Sequence, residues 1–119
     1  MNILYLEDSD LDVRLVQQYM NTVDHQFTPV GTIDEALQYF QDQQPDVFLV
    51  DIVIGQEMAY DLVTQVKTQK LSKYIVAVTA KALPVDQRRC FDVGCDHVLA
   101  KPFTIDDLEQ MLDQLAQEH

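Results

Sequence analysis

The sequence predicts an α/β fold, a three-layer sandwich in which helices cover both faces of a five-stranded parallel sheet. Five short apolar runs alternate along the chain with five segments whose apolar residues recur at helical spacing. The run Val47–Val50 contains four consecutive hydrophobic residues, as expected of a strand buried on both faces. Strands that alternate with helices in this way are parallel and are joined by right-handed crossovers.

The predicted strands are short apolar runs, and most of them lead directly into a polar side chain. In chain order they are Asn2–Leu6, Gln26–Val30, Val47–Asp51, Tyr74–Val78 and Asp96–Ala100. Pro29 lacks a backbone donor, so the second strand suits a sheet edge. The third and fourth strands are the most apolar and belong in the centre. This arrangement favours the flavodoxin-like strand order 2-1-3-4-5.

Each predicted helix combines an apolar stripe with a start or stop signal. Polar residues that can cap a helix precede the first, second and fifth helices, namely Ser9, Thr32 and Thr104. Pro84 suits the first turn of the fourth helix and Gly94 its end, although the apolar spacing there is the least regular. The first helix is expected to bury Leu11, Leu15, Val16, Tyr19, Met20 and Val23, and the third Ala59, Leu62, Val63 and Val66.

The composition limits the classes of protein to which the chain can belong. Its 119 residues suit one domain over residues 1–119, and no apolar run reaches the length of a membrane span, so we expect a cytoplasmic protein. The net charge of −12 argues against direct binding to nucleic acid or an anionic membrane. Cys90 and Cys95 have no metal-ligand spacing and are expected to be free, packed thiols.

Reactive side chains follow the predicted strands. Glu7 and Asp8 come after the first strand, Asp51 ends the third, Thr79 follows the fourth and Lys101 the fifth. These strand ends meet at one edge of a parallel sheet, where ligands bind in open α/β folds. Three carboxylates packed together repel one another unless cations lie between them. Oxygen ligands favour Mg²⁺, so the sequence predicts a magnesium site with a lysine beside it.

The same side chains fit the transfer of a phosphoryl group to a carboxylate. Asp51 is the expected nucleophile, and it would form an aspartyl phosphate. Magnesium, Lys101 and Thr79 would each hold one phosphoryl oxygen, because this chemistry depends largely on positioning and on stabilising charge.

These motifs, in this order, resemble a response-regulator receiver domain of two-component signalling, a CheY-like domain, along the whole chain. They are the acidic pair Glu7-Asp8, Asp51, Thr79-Ala80 and Lys101-Pro102-Phe103. The resemblance implies that Asp51 is the phosphoacceptor and that Thr79 and Lys101 complete the catalytic set. It also implies that the backbone carbonyl of Val53 joins Glu7, Asp8 and Asp51 as a metal ligand.

The resemblance further implies a signalling module whose chemistry is self-catalysed, and not an enzyme with a separate substrate. The phosphoryl donor would be a histidine kinase or a histidine phosphotransfer protein. The face formed by the fourth helix, the fifth strand and the fifth helix would contact an output domain, a partner protein or a second copy of the chain.

The chain also departs from the family pattern. It has Ile54-Gly55 where Met-Pro is frequent, and Ala59 where glycine is frequent, which leaves the path of this loop open. Val98 occupies a position that is usually aromatic. We therefore hypothesise that the signal is carried by displacement of a loop and the fourth helix, without an aromatic rotamer switch.

Two other functions are compatible with parts of the sequence. Asp8-Ser9-Asp10 resembles the nucleophile motif of haloacid-dehalogenase-type phosphohydrolases, in which Asp8 would carry the phosphate. A clear downstream acidic metal motif and the length for a cap are missing, so this alternative is weaker. The second alternative is a degenerate receiver that binds partners without being phosphorylated.

Overall fold

The computed structural model describes residues 1–117, which form seven strands and five helices. The strands are β1 (Asn2–Leu6), β2 (Gln26–Val30), β3 (Val47–Asp51), β4 (Val53–Ile54), β5 (Glu57–Met58), β6 (Tyr74–Thr79) and β7 (His97–Ala100). The helices are α1 (Asp10–Met20), α2 (Ile33–Asp42), α3 (Tyr60–Thr68), α4 (Pro84–Val93) and α5 (Ile105–Gln117). None of these helices has the length and apolarity needed to cross a membrane.

Five of the strands form one parallel sheet in the order β2-β1-β3-β6-β7. Because β6 and β7 are the fourth and fifth predicted strands, the flavodoxin-like order 2-1-3-4-5 is confirmed. In the centre of the sheet Leu49 of β3 lies between Tyr5 of β1 and Val76 of β6. Pro29 lies in β2 at an edge of the sheet, as predicted from its missing backbone donor.

The two faces of the sheet bury separate hydrophobic clusters, which confirms the three-layer architecture. On one face Phe48 and its neighbours pack against α2, α3 and α4, and the rings of Phe40 and Phe48 meet edge to face at 5.2 Å. On the other face Leu49 and its neighbours pack against α1 and α5. Alternate residues of one strand thus belong to opposite clusters, as the period of two in a strand requires.

The predicted caps are present, but two apolar positions of α1, Leu11 and Leu15, were assigned wrongly, and Leu15 is 39% exposed. The hydroxyls of Ser9, Thr32 and Thr104 accept hydrogen bonds from backbone N–H groups in the first turns of α1, α2 and α5. Leu11, expected in the core, is 76% exposed. The face of α1 that packs on the sheet passes through Val16 and Met20, and 100° per residue turns Leu11 away from it.

A short hairpin that the sequence did not predict follows β3. Strands β4 and β5 pair antiparallel around Gly55, which has a φ of 61°. Ala59 ends this loop, and its N–H donates to the carbonyl of Ile52 at 2.8 Å. Its φ of −89° is accessible to any residue, so alanine can replace the frequent glycine without strain. Strands of two residues are too short to show a periodic pattern.

Helix α4 ends at Gly94, as predicted, in a Schellman motif. The N–H of Gly94 donates to the carbonyl of Phe91 at 3.1 Å, and the N–H of Cys95 donates to that of Cys90 at 3.0 Å. The two cysteines are free and buried, as expected. Asp96, predicted as the first residue of the fifth strand, lies just before β7. Its N–H donates to the carbonyl of Ile75, and its carboxylate accepts the N–H of Ile75.

Gly94 provides a test of this helix end. It has a φ of 123°, and a Cβ added there would lie 2.7 Å from Cγ of Lys67. We expect Gly94→Ala to lower the free energy of unfolding by about 1–2 kcal/mol, measured by urea denaturation. Gly31→Ala is the control, since its added Cβ would have its nearest neighbour at 3.9 Å. Equal losses in both variants would contradict the prediction.

Candidate functional site

The carboxyl edge of the parallel sheet brings the predicted reactive residues together. Glu7 and Asp8 follow β1, and Asp51 is the last residue of β3 in the middle of the sheet. Thr79 is the last residue of β6, and Lys101 directly follows β7. Four separate strands therefore deliver these side chains to one edge.

The three carboxylates form a compact group. Glu7, Asp8 and Asp51 each offer an oxygen, and these oxygens all lie within 4.8 Å of one another. Glu7 and Asp51 are buried, whereas Asp8 is exposed. Three carboxylate oxygens that converge in this way, with one side open, fit a hard divalent cation such as Mg²⁺.

Hydrogen bonds fix two of these carboxylates in place. Glu7 accepts the hydroxyl of Tyr5 on Oε2 at 3.2 Å and the N–H of Ser9 on Oε1 at 3.1 Å. Burial, together with the charge of Glu7, raises the pKa of Tyr5, so this phenol stays a donor. Asp8 accepts the N–H of Gly55 on Oδ2 at 2.9 Å, which ties the β4–β5 hairpin to the site.

Lys101 supplies positive charge at the centre of the site. Its Nζ lies 2.6 Å from Oε2 of Glu7, 3.1 Å from Oδ2 of Asp51 and 3.1 Å from Oδ2 of Asp12. Burial by itself would lower the pKa of Lys101, but hydrogen bonds to the three carboxylates outweigh it and raise the pKa. The lysine is therefore a permanent cation.

Asp51, the predicted nucleophile, is only partly stabilised as an anion. Burial and the nearby charge of Glu7 raise the pKa of Asp51 to about 6, although Lys101 opposes the shift. The N–H of Val53 donates to Oδ1 of Asp51 at 3.1 Å, so residue 53 lies at the site, as the metal-ligand prediction requires. That the carbonyl of Val53 binds a metal stays a prediction.

Thr79 reaches the edge of the site, but its hydroxyl is engaged by the following loop. Oγ1 of Thr79 accepts the N–H of Lys81 at 3.0 Å, and its carbonyl accepts the N–H of Lys101 at 2.8 Å. The side chain is buried. The hydroxyl thus links β6 to the start of the segment that leads into α4.

Asp12 was missed as a site residue. The sequence showed it only as the partner of the helix cap at Ser9, yet its carboxylate contacts Lys101. The position of Asp12 in the first turn of α1, just after Glu7 and Asp8, could have indicated from the sequence that it lies near the site. A small pocket of about 220 Å³ beside it is lined by Asp12, Leu15, Ala80, Lys101, Pro102 and Phe103.

The raised pKa of Asp51 predicts a pH-dependent stability. Between pH 4 and about 6 the folded chain binds a proton on Asp51 that the unfolded chain releases, so folding stability falls as pH rises through this range. Without divalent cations we expect Asp51→Asn to raise the free energy of unfolding at pH 7 by about 1–2 kcal/mol. The gain should shrink as the pH falls toward 4, as measured by urea denaturation.

Asp92→Asn, on the exposed surface of α4, is the control and should shift stability little at either pH. A gain for Asp51→Asn that grows on acidification would contradict the assignment of the raised pKa to Asp51.

Known proteins resemble this chain over nearly its whole length. The sensor histidine kinase RcsC of Salmonella typhi is 30% identical over 112 residues, which make up 94% of this chain and 12% of that protein. The sensory transduction protein LytT of Enterococcus faecalis is 28% identical over 123 residues, covering 99% of this chain and 49% of that protein. The chain therefore spans at most about half the length of these relatives.

Solved structures share the fold. The receiver domain of the sensor histidine kinase PA1611 from Pseudomonas aeruginosa PAO1, with a magnesium ion coordinated in its active-site cleft, has a TM-score of 0.82 and 24% identity, covering 96% of this chain and 95% of that one. The chemotaxis response regulator CheY4 of Vibrio cholerae has a TM-score of 0.87 and 22% identity, covering 96% and 97%. The family model of the response regulator receiver domain matches residues 3–113, and the chain belongs to that family of two-component signalling domains.

Proposed function

We propose that this receiver domain accepts a phosphoryl group on Asp51 and signals through a conformational change. The observation that carries the proposal is the position of Lys101, whose Nζ lies 3.1 Å from Oδ2 of Asp51 inside a group of three carboxylates. Receiver domains of two-component systems interact with histidine kinases or phosphotransfer partners. The donor is accordingly a phosphohistidine on such a protein.

The residues of the site divide the work of the transfer. A carboxylate oxygen of Asp51 attacks phosphorus as the bond to the histidine nitrogen breaks, and Lys101 donates to one of the phosphoryl oxygens. Glu7, Asp8, Asp51 and the carbonyl of Val53 hold Mg²⁺, which offsets negative charge on the phosphoryl oxygens when it is bound. The hydroxyl of Thr79 donates to a further oxygen.

The contact of Thr79 with Lys81 connects this chemistry to α4. The hydroxyl oxygen of Thr79 accepts the N–H of Lys81, and its O–H can donate to a phosphoryl oxygen. Rotation of the Thr79 side chain toward the phosphoryl group breaks the bond to Lys81 and releases the start of the segment 80–93. Helix α4 buries two residues, Asp86 and Cys90, which is fewer than α1, α3 or α5 bury. We therefore place the response in the β6–α4 loop and α4.

Val98 supports the same route. It is only half-buried, pairs with Ala77 of β6 and packs against the cluster on the α4 side of the sheet. A valine has one short χ1 torsion and no ring to swing inward. The position that is usually aromatic thus cannot provide a ring flip, and displacement of the backbone must carry the signal.

Two exposed apolar regions suit protein partners. Leu83, Val85 and Phe91 are exposed on and next to α4, and they fit an output domain, a partner protein or a second copy on the α4–β7–α5 face. Leu15 is exposed on α1 and lines the pocket at Lys101, and Leu11 is exposed one helical turn before it. They fit a protein donor that brings its phosphohistidine to Asp51.

Phosphate labelling tests the proposed nucleophile. With acetyl phosphate and Mg²⁺ we expect about one phosphate per chain on Asp51, located by peptide mass spectrometry. Asp51→Asn or removal of Mg²⁺ by EDTA should abolish the label, because the nucleophile or the offset of charge is lost. Asp61→Asn, an exposed carboxylate in the first turn of α3, is the matched control and should label normally.

Other labelling outcomes identify the alternative functions. A label on Asp8 would indicate a phosphohydrolase of the haloacid-dehalogenase type. A folded wild-type chain that takes no label with Mg²⁺ present would indicate a degenerate receiver. The family match favours a receiver over a phosphohydrolase. The convergence of Glu7, Asp8 and Asp51 with Lys101 favours phosphorylation over a degenerate site.

The switching route is tested by a structure with Mg²⁺ and beryllofluoride, a phosphoryl mimic. We expect the segment 80–93 to move by more than about 1 Å relative to the sheet, while Val98 keeps its rotamer. Residues 26–42, which form β2 and α2 away from this segment, serve as the internal reference. An unmoved 80–93 segment in the bound structure would contradict the route.

A further inference from the structure

The ammonium group of Lys101 is fully occupied in this structure. A lysine ammonium has three N–H donors. The three carboxylate partners of Nζ are Glu7 at 2.6 Å, Asp51 at 3.1 Å and Asp12 at 3.1 Å. No donor is left for a phosphoryl oxygen, although the proposed function, on which this inference rests, requires Lys101 to bind one.

The three partners differ in what their release would cost. The side chains of Glu7 and Asp51 are 1% and 8% exposed, whereas that of Asp12 is 37% exposed. Leaving the buried carboxylate of Glu7 without a cation is strongly unfavourable. Asp51 loses its negative charge when it becomes the acyl phosphate, so its hold on Lys101 weakens in that state. Of the two partners that keep their charge, Asp12 is the one at which water can replace Lys101 at low cost.

The carboxylate of Asp12 is also not needed to cap α1. In a complete capping box the side chain at this third helical position accepts the N–H of the N-cap residue. Here the N–H of Ser9 donates to Oε1 of Glu7 instead. The backbone N–H of Asp12 still donates to Oγ of Ser9. Asp12 is thus free to serve Lys101 without loss to the helix.

We propose that Asp12 is a positioning residue that competes with the phosphoryl group for Lys101. In the resting state it holds one donor of the ammonium, and in the phosphorylated state its carboxylate competes with the phosphoryl oxygens for Lys101. The competition weakens phosphoryl binding by the strength of one partly exposed ion pair. Asp12 thereby shortens the lifetime of the phosphorylated state.

Asp12→Asn tests the competition, with Asp10→Asn as the matched control. Asp10 lies in the same first turn of α1, so its replacement removes the same charge, but the described residues show no contact between it and Lys101. In saturating Mg²⁺ we expect Asp12→Asn to bind beryllofluoride about fivefold more tightly than wild type by calorimetry, with Asp10→Asn within about twofold. Asp12→Glu, which restores the charge, should return the affinity toward wild type.

The lifetime of the phosphate on Asp51 gives a second readout. After labelling with acetyl phosphate and removal of the donor, we expect the label on Asp12→Asn to decay about fivefold more slowly than that on wild type or Asp10→Asn. Equal affinities and lifetimes in Asp12→Asn and Asp10→Asn, with the wild type labelled on Asp51, would overturn the role of Asp12 alone. A wild type that takes no label on Asp51 would overturn both the proposed function and this role.

Discussion

The contact between Lys101 and the buried carboxylates Glu7 and Asp51 is the interaction on which the site depends. Two carboxylates this close and this poorly solvated repel each other, and a lysine 2.6 Å and 3.1 Å away offsets much of that repulsion. Lys101 does not offset the burial and the repulsion completely, and the pKa of Asp51 is therefore still raised to about 6. The unbalanced charge is what suits the site to a divalent cation.

The site is built partly on the buried centre of the sheet and partly next to the less buried β6–α4 loop. The central strands are buried on both faces, so Asp51 is carried by the most tightly packed part of the chain. The hydroxyl of the neighbouring Thr79 instead accepts the backbone N–H of Lys81. Lys81 lies at the start of the segment that leads into α4, a helix with two buried residues. In the proposed mechanism, a change at the site therefore moves α4 without disturbing the core.

This chain differs from the family pattern at positions around that shared centre. Ala59 is accommodated because the hairpin β4–β5 leads into α3 with a backbone that needs no glycine. Val98 occupies a position in β7 that is usually aromatic, and the proposed response therefore runs through the backbone of the 80–93 segment. Asp12 adds a further carboxylate to Lys101. The residues of the shared centre are thus kept, while positions around it differ.

The sequence by itself determined the α/β class, the strand order, the helix caps and the five side chains at the strand ends. Period and capping are local signals, and the alternation of strands with helices restricts how parallel strands can be ordered. Only the tertiary structure decided that Asp12 reaches Lys101, that Leu11 faces solvent and that the hydroxyl of Thr79 bonds to Lys81. The first two features depend on how α1 lies against the sheet, which involves residues far apart in the chain. The bond between Thr79 and Lys81 joins residues only two apart, but it depends on the backbone path of the β6–α4 loop, which has no periodic signal in the sequence. The β4–β5 hairpin belongs with them, since pairings of two residues have no periodic signal.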